Sequence, residues 1–161
     1  MKIELKKVTR DNWEEALGLR VKEEQSKFAP IPAVSLAKVI KPDGPDVEYL
    51  PFAIYAEDKM VGFIMHAYEK ETSDMYWING FIIDKKYQGI GYGRAAIIEM
   101  IAWIRKSFNQ CCEIRITVYQ DNHHAKKLYE SLGFIKTTLM SGEEEVWRLP
   151  LEKAMRKKST K

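Results

Sequence analysis

Three glycines fall within five residues in Gln88-Gly89-Ile90-Gly91-Tyr92-Gly93, between an apolar run ending at Ile83 and an amphipathic run from Arg94 to Phe108. Glycines at a strand-to-helix turn leave backbone N–H groups bare, and the helix dipole adds positive character at the same point. That combination suits a pyrophosphate, although the same glycines would also serve a tight turn that needs them only for its backbone angles. A P-loop requires Gly-Lys followed by Ser or Thr after a four-residue gap, and none follows Gly89. A dinucleotide fingerprint requires its loop within an early βαβ unit, whereas three strand-like runs precede this loop. Neither nucleotide-binding class fits.

Other chemistry-bearing residues are sparse. Cysteine occurs only as the adjacent pair Cys111-Cys112, for which a mutual disulfide would be strained, so both read as ordinary thiols. The three histidines, His66, His123 and His124, show no ligand spacing, and no metal site is expected.

The elements that must position the glycine turn follow from periodicity. Ile3, Leu5 and Val8 suggest a first strand, and Asp11-Asn12-Trp13-Glu14 reads as a capping box opening a helix that runs to about Gln25. Pro30 and Pro32 break it, Ser35 can cap a short helix through Ile40, and Pro42-Asp43-Gly44-Pro45 is a loop signal. The stretch from Phe28 to Pro45 reads either as a surface loop or as a segment lying over a site. Tyr49–Glu57 and Met60–Tyr68 form a hairpin about Asp58-Lys59, and Met75–Ile83 is a central strand covered on both faces. In the helix after the glycine turn, Ala95, Ile98, Ile101, Ala102 and Ile104 supply the apolar face. Glu113–Tyr119 alternates, with Ile114, Ile116 and Val118 inward; strand, glycine turn, helix and strand thus make a crossover unit. Asp121-Asn122 caps a further helix ending at Gly133, and Phe134–Met140 with Glu143–Leu149 closes the chain as a hairpin.

A chain of 161 residues, 45% hydrophobic and 11% aromatic, fits one globular domain, taken as residues 1–151 with a basic tail at 152–161. The net charge of +3 arises partly in that tail, through Lys153, Arg156, Lys157, Lys158 and Lys161, which reads as a frayed end more readily than as a nucleic-acid or membrane contact. The start, Met1 to Lys7, alternates apolar and charged residues and is no signal peptide, and no window offers the ~20 apolar residues of a membrane span. A cytoplasmic location is expected, with no nucleic-acid or membrane partner.

Gln88, Gly91 and Gly93 match the coenzyme A signature of the GNAT superfamily of N-acetyltransferases: Gln or Arg, two residues, Gly, one residue, then Gly or Ala. A second segment of that family resembles Asn122, Ala125, Leu128, Tyr129, Gly133 and Phe134, and the order of elements agrees from Ile3 to Leu149. The resemblance implies an α/β (α+β) fold: a mixed, mostly antiparallel sheet of six or seven strands, splayed at the strands flanking the glycine-loop helix, with about four helices. It implies acetyl-CoA as co-substrate and attack by a primary amine in a ternary complex. Backbone groups of Phe81, Ile82 and Ile83 would meet the pantetheine arm, one N–H acting as oxyanion donor. Backbone N–H groups of Gly89, Ile90, Gly91, Tyr92, Gly93 and Arg94 would hold the pyrophosphate. Asn122 would cap its helix and touch the arm, and Tyr129 would protonate the leaving sulfur.

An amine of pKa ~10.4 is free base in only about one molecule in 2,500 at pH 7, so its proton must be removed or disfavoured. Some relatives carry a carboxylate for this on the strand before the glycine loop, where this sequence has Asn79. The options left are Glu24, Glu71, Asp74, or a water chain through Asn79 and a backbone carbonyl. The length, the segment Glu24–Ala37 and Tyr129–Phe134 are similar to bacterial spermidine/spermine (diamine) N-acetyltransferases. Polyamine binding calls for separated carboxylates, available in Glu23, Glu24, Glu71, Asp74 and Glu143-Glu144-Glu145. The alternatives are a GNAT enzyme acting on a protein N-terminus, an aminoglycoside or an amino acid, and a non-catalytic acetyl-CoA-binding module. A homodimer is compatible with the resemblance.

Overall fold

The computed structural model describes residues 2–152; the expected basic tail lies, apart from Glu152, outside the described residues. In chain order the elements are β1 (Ile3–Lys7), α1 (Trp13–Leu17), α2 (Pro32–Ile40), β2 (Val47–Ala56), β3 (Lys59–Glu69), β4 (Tyr76–Ile83), α3 (Tyr92–Ser107), β5 (Glu113–Tyr119), α4 (His123–Ser131), β6 (Ile135–Ser141) and β7 (Glu144–Pro150), with 3₁₀ turns at Glu23–Gln25 and Lys85–Tyr87. The seven strands form one sheet in the order β1-β2-β3-β4-β5-β7-β6. Every pairing is antiparallel except β4 with β5, because these two are joined by the α3 crossover.

Strand alternation divides the apolar residues into two cores. Phe52, Ile54 and Ile64 face α3 together with Ile114, Ile116 and Val118. Ala53, Tyr55, Phe63, Met65 and Ala67 face the other way, against Ala16 of α1 and Leu19. α3 buries Ala96, Ile97, Met100 and Ile104 completely, and each isoleucine so placed contributes about 1.5–3 kcal/mol. Ile98 is 45% exposed and Ala102 is exposed, so the buried stripe is rotated from the one expected. A 3.6-residue period admits several apolar stripes in this helix, and contact with the sheet selects one.

The first helix is shorter than expected. It ends at Gly18, and the backbone beyond is held by the residues that follow β4: Arg20 N donates to Asp84 Oδ2 at 3.0 Å and Lys85 N to Arg20 O at 2.8 Å. These tertiary bonds replace another helical turn. The capping box does not form either, since Asn12 Oδ1 accepts from Thr9 N at 2.8 Å and turns back toward β1. α2 starts at Pro32 in its first turn, where proline loses no bond, and Ser35 is buried inside the helix instead of capping it. The β2–β3 turn centres on Glu57-Asp58, one residue before the expected position, with Glu57 at φ 59°.

β4 and β5 pair only at Trp77↔Arg115 and Ile78↔Ile116; beyond these the strands part. On its other edge β4 carries a bulge. Phe63 pairs with Ile82 and Met65 with Asn79, so Gly80 and Phe81 together lie opposite the single residue Ile64. Gly80 has φ 60°, a conformation that favours glycine.

Candidate active site

The parting of β4 and β5 opens a cavity of about 1450 Å³, larger than the ~300–1,000 Å³ of common small-ligand sites. Its floor is the second half of β4, where Asn79, Gly80, Phe81, Ile82 and Ile83 lie past the last β5 pair and so have no ladder partner on that edge. Backbone polar groups so exposed are available to a bound molecule.

The glycine turn forms one end. Gly89 (φ 77°) and Gly91 (φ 100°) take left-handed conformations, and Gly91 is the cap of α3. Tyr92, Gly93 and Arg94 then make the first helical turn, whose N–H groups have no carbonyl one turn upstream within the helix. Gly93 also lets α3 approach β4, since a Cβ there would lie 3.3 Å from Phe81 Cζ. The Gln88 side chain is structural: its Nε2 donates to Ile83 O and to Gln25 Oε1, both at 2.9 Å, and so ties the end of β4 to the 3₁₀ turn at Glu23–Gln25. Arg94 reaches Ser131 Oγ at 2.7 Å.

α4 contributes the opposite lip. Asn122 Oδ1 accepts from Ala125 N at 3.4 Å, which is the capping role expected of it. At the other end Gly133 has φ 98°, Gly133 N donates to Glu130 O and Phe134 N to Tyr129 O, both at 3.0 Å, the pattern of a Schellman motif. That motif fixes Tyr129, whose ring meets Phe134 at 5.9 Å between centroids. Tyr129 is 6% exposed and lines the cavity. Burial, with a smaller contribution from the charge of Glu144, pushes its pKa above the ordinary tyrosine value. It therefore stays protonated throughout the neutral range.

The segment from Phe28 to Asp43 forms a wall, so of the two readings open from sequence it is the one lying over a site. α2 is seated there through Ser35, which is 2% exposed; a Cβ on Gly80 would lie 2.5 Å from Ser35 Oγ. Gly80, unremarked in the sequence, carried one usable signal: an isolated glycine inside a strand often marks a bulge or a close backbone approach. Asp84, which clamps Arg20 and accepts from Lys86 N at 3.0 Å, carried none.

Of the residues singled out from sequence, Phe81, Ile82, Ile83, Gln88, Gly89, Gly91, Tyr92, Gly93, Arg94, Asn122, Asn79 and Tyr129 line this one cavity. Ile90 does not, its side chain being 54% exposed beside the loop. Glu24 is exposed on the outer side of its 3₁₀ turn, and Asp74 pairs with Arg115 at 3.5 Å on the β3–β4 loop; neither lines the cavity. Nor does Glu71. Of the acidic run, Glu145 faces away, buried against Trp147 Nε1 (3.1 Å), Lys126 (3.2 Å) and Lys136 (3.2 Å). Glu144 alone of that run enters the cavity, half-buried and bonded to Thr117. Desolvation raises its pKa above the usual carboxylate value, opposed in part by Thr117 and Lys38. Three further carboxylates line the cavity: Asp43, which accepts from the Tyr49 hydroxyl, Glu69, and Asp121, which pairs with Lys27 at 3.0 Å. Among the described residues no group of His, Cys, Asp or Glu is placed to hold a metal ion, and no helix is long and apolar enough to cross a membrane.

Comparison with known proteins agrees with this geometry. The Acetyltransferase (GNAT) family model matches residues 10–134. The chain is 31% identical over 140 residues to the "Probable spermine N(1)-acetyltransferase" of Bacillus subtilis subsp. natto and 30% identical over 140 residues to the "Spermine/spermidine N(1)-acetyltransferase" of Bacillus subtilis (strain 168); each alignment covers 83% of this chain and 88% of the relative. The fold is also that of the spermidine N-acetyltransferase from Vibrio cholerae solved with CoA and spermine, with a TM-score of 0.65 at 15% identity over 91% of this chain and 92% of that one.

Proposed function

The chain belongs to the acetyltransferase (GNAT) family of acetyl-CoA-dependent N-acetyltransferases, and on that premise we propose that its acceptor is a polyamine, spermine or spermidine, acetylated by direct attack within a ternary complex. The observation that carries this reading is the continuity of the cavity between β4 and β5: it joins the α3 N-terminus to a region lined by Asp43, Glu69 and Glu144 and by the rings of Tyr49 and Trp77. Separated carboxylates match separated ammonium groups, and aromatic faces accept the cationic chain between them. The 30–31% identity to spermine and spermidine acetyltransferases supports the same class.

The chain's own groups would act as follows. Acetyl-CoA supplies the activated acetyl thioester. The N–H groups of Gly89 to Arg94 hold its phosphates, and the unpaired edge of Phe81, Ile82 and Ile83 orients its arm, one N–H facing the developing oxyanion. Tyr129, protonated and fixed by its Schellman motif, stands as proton donor to the departing sulfur.

The test is an acceptor panel of spermine, spermidine, putrescine, lysine, aminoglycosides and peptide N-termini with thiol release as readout. Spermine or spermidine is expected to show the highest kcat/KM. Faster turnover of a peptide or an amino acid would sink the polyamine assignment.

A further inference from the structure

A charged amine must lose a proton before it can attack, and the position where some relatives carry a carboxylate is Asn79, an amide that cannot accept one. Asn79 is the first β4 residue past the last pair with β5, and Thr117 is the first β5 residue past it. The two therefore face each other across the opening of the splay. Strand β7 lies on the other edge of β5, with Val146 opposite Thr117 and Glu144 opposite Tyr119. From there the Glu144 side chain turns back to hydrogen-bond Thr117. A carboxylate thus reaches the mouth of the splay from β7, although β4 supplies none.

We propose that Glu144 is the catalytic base, the group that receives the ammonium and takes its proton before attack. This rests on the reading of the chain as an acetyltransferase for a charged amine. The other carboxylates of the cavity are less suited. Asp43 is engaged by Tyr49 and Asp121 by Lys27. Glu69 N bonds Met75 O, four residues back from Asn79, or about 13 Å along the strand at 3.3 Å per residue. Glu144 instead hydrogen-bonds Thr117, the β5 residue at the opening, and its charge acts on Tyr129.

The proton balance closes with these two groups. The ammonium gives one proton to the Glu144 carboxylate, and the neutral nitrogen attacks the thioester carbonyl carbon. The C–N bond forms and the C–S bond breaks. The second nitrogen proton, lost to water as the amide forms, is matched by the one that water returns to Tyr129 after Tyr129 protonates the thiolate, and Glu144 releases its proton to water. The products are the N-acetylated amine, the free thiol and one proton. Protonation of Glu144 also removes the negative charge that opposes ionisation of Tyr129, so the acid becomes stronger once the base has acted. Partial burial raises the carboxyl's affinity for a proton and so makes the Glu144 carboxylate a stronger base. The groups facing Glu144 are Lys38 from α2, Tyr129 from α4, and Thr117 and Tyr119 from β5.

The experiment compares the wild-type protein with Glu144→Gln and Glu144→Asp, using whichever amine of the panel the wild type acetylates best. Two acceptors are run: that amine, charged at pH 7, and an analogue with an electron-withdrawing substituent whose amino group is already neutral there. For the charged amine, Glu144→Gln should lower kcat by ~10²–10⁴-fold, the usual worth of a general base, and Glu144→Asp should restore part of it. For the neutral analogue the loss should be under tenfold, which also shows that the variant is folded. In calorimetry, Glu144→Gln should weaken binding of the charged amine and leave acetyl-CoA affinity unchanged. Equal loss with both amines, or retention of more than a third of wild-type kcat with the charged one, overturns the role of Glu144 while leaving the acetyltransferase reading intact. If the wild type acetylates no charged amine, both readings fall.

Discussion

The carboxylate of Glu144 and the phenol of Tyr129, brought from β7 and α4 to one cavity, lie within electrostatic reach of each other, and the carboxylate charge adds to burial in holding the phenol protonated. A pair of titratable groups whose protons are coupled in this way is an arrangement suited to moving a proton off one substrate and onto another.

Replacing Tyr129 by Phe removes the hydroxyl and keeps the ring on Phe134. The leaving thiol has a pKa near ~8.5, so its protonation assists the reaction without being indispensable. The expected result is a ~10²–10⁴-fold lower kcat with KM for the amine, acetyl-CoA affinity and Tm nearly unchanged. Preserved turnover with a lower Tm would mean that the tyrosine only packs α4 on the sheet.

The glycine turn can be tested with strain held constant. Gly89 has φ 77° and no atom within 4 Å of where a Cβ would stand, so Gly89→Ala and Gly89→Glu bear the same backbone penalty of about 1–2 kcal/mol. Only the glutamate places a negative side chain where phosphates would bind. Calorimetry should show acetyl-CoA affinity at least tenfold weaker in Gly89→Glu than in Gly89→Ala. Equal affinities would remove the phosphate from this loop.

At Gly80 the alanine variant would both strain a φ of 60° and drive a methyl to 2.5 Å from Ser35 Oγ. A loss of about 1–3 kcal/mol is expected, measured by urea unfolding, because α2 must move off the bulge. Adding Ser35→Gly should recover the steric part and leave the backbone part. If Gly80→Ala matches wild type in both stability and turnover, the bulge does not seat α2.

Acid should destabilise the protein through His66. The residue is fully buried among the rings of Tyr68, Tyr76, Trp103 and Phe108. Its Nδ1 lies 3.0 Å from Trp77 O, a carbonyl that can only accept, so Nδ1 carries the proton; among the described residues Nε2 has no hydrogen-bond partner. Burial lowers the pKa to about 4 from an ordinary 6.5, with the Trp77 bond acting in the opposite sense. The unfolded chain therefore binds a proton that the folded one refuses between those values. Stability is complete above pH 6.5 and falls as pH drops toward 4, by roughly 3 kcal/mol at 1.36 kcal/mol per pKa unit. In His66→Asn, whose amide can donate to Trp77 O, that part of the pH slope should vanish. An unchanged slope would assign the acid sensitivity to another group.

What the sequence by itself determined was local. The order of strands and helices, the glycine turn before α3, the Asn122 cap and the Gly133 terminator of α4 each depend on residues a few positions apart, and the structure has all of them. Tertiary structure decided what depends on partners distant in the chain. α1 stops at Gly18 because Asp84 takes the backbone of Arg20, 64 residues away, and nothing near Arg20 announces it. The buried stripe of α3 was chosen by the sheet from a helix apolar on more than one side. The identity of the carboxylate at the splay is the clearest case. A strand's side-chain period shows that Glu144 and Glu145 point to opposite faces, but not which face is which or what stands opposite. Pairing with β5 sends Glu145 into a cage of Trp147, Lys126 and Lys136 and Glu144 toward Thr117, while Glu24 and Asp74 remain outside the cavity. Periodicity records how a residue sits on its own element; register across a sheet is a property of two elements at once, and only the folded chain contains it.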